Sequence, residues 1–184
     1  MRSSPRPSAA PLYTPEERAR RDASGWTLVQ GILAPLQFLV FLVSLALVLR
    51  TLVTGEGAAL AAGSVVSKTL VLYTIMITGA LWERDVFGQY LFARPFFWED
   101  VVSMGVIALH TLYVAMLLAD VGGTALQLQI ALAAYLIYVI NAAQFVNKLR
   151  LARLAGAPAG DAPKSVATSE RHDGIRPVVE SGAT

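Results

Sequence analysis

Cysteine is absent from the 184-residue chain. That excludes a disulfide framework, a thiolate nucleophile, an iron–sulfur cluster and a cysteine zinc site. Charge is also scarce, at 15% Asp, Glu, Lys and Arg, against roughly one-quarter in soluble domains. The net charge is only +2, and the basic residues are not interleaved with aromatics along a groove-like pattern, so nucleic-acid binding has little support. The two halves share no motif, which weighs against an inverted-repeat transporter. What the chain has instead is apolar sequence: 55% of its residues are hydrophobic, the composition of a membrane protein.

Four runs account for that excess. Residues 26–49 contain no charge, and a bilayer-spanning helix needs about 20 apolar residues. A cleaved signal peptide does not fit, because its apolar core runs only about 7–15 residues. Residues 65–82, 98–119 and 125–146 supply three more spans. Pro35 lies inside the first and would clash with the carbonyl four residues back, at Gly31, so a kink is expected there. Lys68, near the start of the second span, is expected to snorkel to the interface. The stretch GEGAALAAGS between the first two spans reads as a flexible linker, and VGG between the last two as a tight turn. Ahead of the spans, TPEE offers Thr14 as N-cap, Pro15 at the first helical position and Glu17 to close a capping box. Residues 14–23 therefore read as a short interfacial helix. The tails, 1–12 and 155–184, read as disordered, leaving 13–154 as an all-α integral membrane domain, a bundle of four transmembrane helices.

The basic residues orient this bundle. An even number of spans places both termini and the linker 83–97 on one side. All of the 15 Lys and Arg except Arg50 and Lys68 lie there, so that side is expected to be cytoplasmic.

Polar groups at membrane depth are the informative ones. Gln30, Gln37 and Ser44 recur at intervals of seven and share a helical face. They read either as interhelical glue or, for Gln37 near the proline, as lining of a polar cavity. Glu99, Ser103 and His110 share one sector of the third span, with His110 about 16 Å deeper than Glu99. In the fourth span Tyr138, Asn141 and Gln144 either pack against another helix or hydrogen-bond a bound polar molecule.

Four acids converge. WERD places Glu83 and Asp85 at the end of the second span, WED places Glu99 and Asp100 at the start of the third, and one linker joins them. Helix-dipole stabilisation and pairing with Arg84 or Arg94 explain one or two such acids. They explain less well a cluster hemmed by Trp82, Phe87, Tyr90, Phe92, Phe96, Phe97 and Trp98. Apolar surroundings favour a protonated carboxyl, and a carboxylic acid near neutral pH is a proton donor.

The stretches WTLVQGILAPLQFLVFLVSLALVLR, YTIMITGALWERDVFGQYLFARPFFWEDVVSM, LHTLY and YVINAAQFVNKLRLARL resemble the 3-vinyl bacteriochlorophyllide hydratase family over residues 13–154. The resemblance implies an enzyme of bacteriochlorophyll synthesis that adds water to the 3-vinyl group of a chlorin such as chlorophyllide a, giving a 3-(1-hydroxyethyl) group. Such chemistry needs a proton donor, a positioned water and a flat apolar slot, with no cofactor beyond the magnesium that the substrate itself carries. On these grounds Glu99 or Asp100, then Glu83, is the expected donor. His110 is a candidate axial ligand to the pigment magnesium, Trp98 and Phe97 are expected to stack on the ring, and Gln37, Tyr138, Asn141 and Gln144 to hold the water or ring carbonyls. The pigment and the lipid bilayer are the expected partners, with other pigment-synthesis enzymes and a second copy of the chain as further candidates. The competing reading is a non-catalytic pigment-binding or assembly subunit of a photosynthetic membrane complex.

Overall fold

A computed structural model describes residues 12–156, with side chains to Leu151. The disordered-tail readings fall mainly on residues 1–11 and 157–184, outside the described residues. The described chain is all helical: α1 (Pro15–Ala23), α2 (Gly25–Thr54), α3 (Ala58–Phe87), α4 (Phe97–Leu118) and α5 (Gly123–Gly156).

The capping box forms as its sequence directs. Thr14 Oγ1 accepts from the Glu17 amide at 3.2 Å, and Glu17 Oε2 accepts from the Thr14 amide at 2.8 Å. α1 is then tied to the end of α3, where Arg20 Nε donates to the Val86 carbonyl at 2.8 Å and Ser24 Oγ donates to Asp85 Oδ2 at 2.9 Å.

The other four helices are long and apolar enough to cross a bilayer, and the protein is multi-pass. Large apolar side chains such as Leu28, Ile32, Leu39 and Val43 of α2 point outward, where lipid rather than protein satisfies them. α2 runs unbroken through Pro35. α3 begins at Ala58, not near residue 65, so most of the presumed linker is helix. Ala59 and Ala61–Ala62 are strong helix formers, and small side chains here let α2 and α3 approach closely. The earlier start puts Lys68 nearly three turns into the helix. It does not snorkel. Its side chain is completely buried, with Nζ 3.9 Å from the centre of the Tyr138 ring.

α2 packs mainly on α3 and α4 mainly on α5, giving two antiparallel hairpins. They meet in a core of Phe41, Val48, Val65, Leu72, Val106, Tyr113, Leu128 and Tyr135. Phe41 bridges them, with its ring 5.4 Å from Tyr135 and 4.9 Å from Tyr138. Ser44 adds a polar link, within 2.6 Å of the Tyr135 hydroxyl and 2.7 Å of Ser64. Towards α1 the hairpins part, and the gap is closed at its end by a second cluster built on Tyr13, Val86 and Phe96, with Trp82, Phe87 and Phe145 packed around it.

Candidate active site

The space between the parted hairpins is a cavity of about 1170 Å³, above the ~300–1,000 Å³ usual for small-molecule sites. Residues 30–38 of α2 and 141–149 of α5 both contribute walls to it. On α3 the lining runs from Leu72 to Glu83, a depth of about 16 Å at the helical rise. The walls are largely apolar: Ala34, Phe38, Ile75, Met76, Trp82, Phe96 and Phe145. Such a slot suits a flat, greasy molecule.

Two acids enter it side by side. Glu83 comes from the last turns of α3 and Asp100 from the first turn of α4, and both line the cavity. Both are buried, and they are set side by side because they accept from the amides of two consecutive residues. Each also holds the linker between the helices. Glu83 Oε2 accepts from the Ala93 amide at 3.1 Å and Asp100 Oδ2 from the Phe92 amide at 2.7 Å. To present that amide Phe92 takes a left-handed backbone, φ 60°, a conformation that costs a non-glycine residue on the order of 1 kcal/mol or more.

Glu99 points elsewhere. It is buried but is not among the lining residues, and its Oε2 pairs with Lys148 Nζ at 2.6 Å. Lys148 also donates to the Pro95 carbonyl and lies 4.9 Å from the centre of the Phe96 ring. Among the described residues neither Arg84 nor Arg94 forms an ion pair with these acids. Arg84 instead lies over the Tyr90 ring at 5.0 Å.

The polar residues deeper in the cavity are Gln37, Ser103, Tyr138 and Asn141. Asn141 Nδ2 donates to Ser103 Oγ at 2.7 Å, joining α5 to α4. Gln37 Oε1 and Asn141 Oδ1 have no partner among the described residues, so both can accept from a bound molecule or water. Gln30, nearer α1, is committed to α3 through Thr78 Oγ1 at 2.7 Å. It is glue that also borders the cavity.

The remaining expected residues lie apart. His110 is completely buried and does not line the cavity. Its Nδ1 is 2.8 Å from the Val106 carbonyl, one turn back, and its ring packs 5.8 Å from Tyr135. Gln144 is half-buried outside the lining. Phe97 and Trp98 face outward, 43% and 68% exposed, as aromatic residues do at a membrane boundary. Their neighbour Phe96 turns inward, with Trp82 and Phe145 at 5.6 and 5.9 Å from its ring centre. Sequence reasoning named the aromatic stretch but assigned the wrong members to the cavity wall, because one residue is about 100° of helix rotation. It also missed Phe145, Tyr13, Arg18 and Arg21, which border the cavity.

Comparison with known proteins finds relatives by sequence. The family model described as 2-vinyl bacteriochlorophyllide hydratase matches residues 13–151. A protein of Cereibacter sphaeroides named 2-vinyl bacteriochlorophyllide hydratase is 66% identical over 154 residues, 82% of this chain and 95% of the relative. One of the same name from Rhodobacter capsulatus is 64% identical over 158 residues, 85% of this chain and 92% of the relative. No solved structure matches.

Proposed function

The chain belongs to the 2-vinyl bacteriochlorophyllide hydratase family, a family of hydro-lyases, and from that premise we propose how its own residues hydrate a vinyl chlorin. The family name and the resemblance read from the sequence count the same vinyl group under different position numbers. The substrate is a magnesium chlorin such as chlorophyllide a, the product its 1-hydroxyethyl derivative, and the role a step in bacteriochlorophyll synthesis.

The observation that carries the mechanism is the Glu83–Asp100 pair inside an apolar slot. Two carboxylates held side by side in an apolar slot repel each other and lose their hydration, which keeps a proton on one of the two. Placed against the vinyl group, that acid protonates the terminal carbon. The cation left on the inner carbon is delocalised into the macrocycle, and the remaining carboxylate steadies it. Water then attacks the inner carbon and gives up a proton to the pair, restoring it. The sum is alkene plus water to alcohol, with no electrons to supply and no cofactor needed. Gln37 and Asn141 hold the water through their free amide oxygens, or a ring carbonyl through an amide N–H. Trp82, Phe96 and Phe145 bound the macrocycle. Glu99, bound to Lys148, supports the linker and is not the donor.

Orientation follows from charge. α1, the linker 88–96 and the C-terminal end of α5 share the end rich in Lys and Arg, which we place on the cytoplasmic face of the bacterial inner membrane. α1, carrying three arginines, then lies along that interface.

The test is direct. Membranes containing the protein, incubated with the vinyl pigment in heavy-oxygen water, are expected to form a blue-shifted product carrying the labelled oxygen. Tight pigment retention with no such product would return the reading to a non-catalytic pigment-binding subunit.

The magnesium is expected to be ligated by a group other than His110, whose ring is completely buried and packs on Tyr135. A His110→Gln variant should bind the pigment with an unchanged absorption spectrum. A shift of its visible bands on substitution would reinstate the axial-ligand role.

A further inference from the structure

The hydratase mechanism leaves two cationic residues on the cavity wall without a task. Arg18 and Arg21 both line the cavity. They stand three residues apart on α1 and so share a helical face. α1 is held firmly: Arg20 and Ser24 bond to the end of α3, and Tyr13 stacks on Phe87 with ring centres 5.9 Å apart. The helix that carries the two arginines is thus fixed across the cavity end, with Arg21 half-buried and Arg18 exposed at its rim.

Their charge is incompletely balanced. Arg21 donates through Nε and Nη2 to Asp22 Oδ1 at 2.9 and 2.6 Å and lies 4.9 Å over the Tyr13 ring. Arg18 forms no ion pair among the described residues. Among the α1 residues that line the cavity, one acid, Asp22, thus stands against two guanidiniums, beside walls that are largely apolar. A ligand matched to that pattern has a flat apolar body and one carboxylate at its edge.

We propose that Arg18 and Arg21 bind the free propionate carboxylate of the pigment, and so make the enzyme selective for the unesterified macrocycle over its esters. This rests on the hydratase reading. The two sites are compatible in space. On a chlorin the ring bearing the propionate is next to the ring bearing the vinyl group. Glu83 and Asp100 sit at the same end of the cavity as α1, so vinyl and carboxylate can reach their partners together. The opposite edge of the macrocycle, with its ring carbonyl, then faces Gln37 and Asn141.

The experiment measures kcat/KM for the vinyl pigment as free acid and as methyl ester, using the full chain in detergent or lipid discs. The wild type is expected to favour the free acid about tenfold, the worth of one partly exposed charge-assisted contact. R18Q/R21Q is expected to bring the ratio close to one, and R18K/R21K to retain part of the preference because charge persists without the planar fork. Raising ionic strength should erode the wild-type preference, since the site is partly exposed. That measurement decides the matter without any variant if the substituted proteins do not fold. An acid-to-ester ratio near one in the wild type, or one unmoved by both salt and substitution, overturns the assignment while leaving the hydratase intact. Failure of the wild type to hydrate either pigment overturns the hydratase reading, and this inference with it.

Discussion

Asp100→Asn is expected to lower the hydration rate about 10²–10⁴-fold, the usual contribution of a positioned acid or base, with pigment affinity little changed. Glu83→Gln should fall in the same range. The double variant should be scarcely worse than either single one, because the two carboxyls share one proton and act as a unit. The amides are the informative substitutions. Asn and Gln keep an oxygen that can accept from the Phe92 and Ala93 amides, at 2.7 and 3.1 Å in the native protein, so the linker stays anchored while the transferable proton is lost. Alanine at either position removes the anchor as well and leaves a backbone amide unpaired, a cost of about 1–3 kcal/mol. A variant that melts like the wild type but no longer turns over thus isolates the chemistry from the scaffold. Glu99→Gln, by the same logic, should retain most of the rate. Near-native rates in both D100N and E83Q would remove the pair from the mechanism.

How much of this was legible beforehand follows from which interactions are local. The four spans, the capping box and the convergence of the acids are consequences of residues close in sequence, and the apolar runs and the WERD and WED stretches display them. The start of α3 was misplaced because a run such as AALAAGS is both a good helix former and a plausible loop, and the close packing on α2 that decides between them is tertiary. The same holds for the acids. Glu99 and Asp100 are adjacent, so their side chains lie about 100° apart around α4. Only the position of α5 reveals that one meets Lys148, 49 residues along the chain, while the other meets Glu83. Depth alone pointed to His110, yet its ring spends one nitrogen on its own helix and packs into the core. Ser44 and Gln30 behave similarly, as bonds between helices. Arg18 and Arg21 carried no local signal beyond a basic turn on a surface helix, and they gain meaning only from the docking of α1 across the cavity end.

Lys148→Met is expected to destabilise the fold by about 3 kcal/mol, the lower end of the range for breaking a buried ion pair from one side. Glu99 has only 7% of its side chain exposed and Lys148 23%, so the abandoned carboxylate has little water to turn to. By the scaling for a chain of this size, the melting temperature of the detergent-solubilised protein should fall about 6–12 °C. The loss arises from the unpaired charge more than from the missing bond, and that distinction is measurable. In Glu99→Leu/Lys148→Met both charges are gone and two apolar side chains of similar reach meet at the helix interface, so stability should return close to native or exceed it. Activity should not return in step. Lys148 also donates to the Pro95 carbonyl, and this contact fixes the end of the linker whose Phe92 and Ala93 amides position the Asp100 and Glu83 carboxyls. Without it the acid pair loses part of its alignment, and the double variant should be stable but several-fold slow. A double variant that recovers both melting temperature and full rate would show that Lys148 serves the fold alone, and that the linker holds its shape through the two carboxyls.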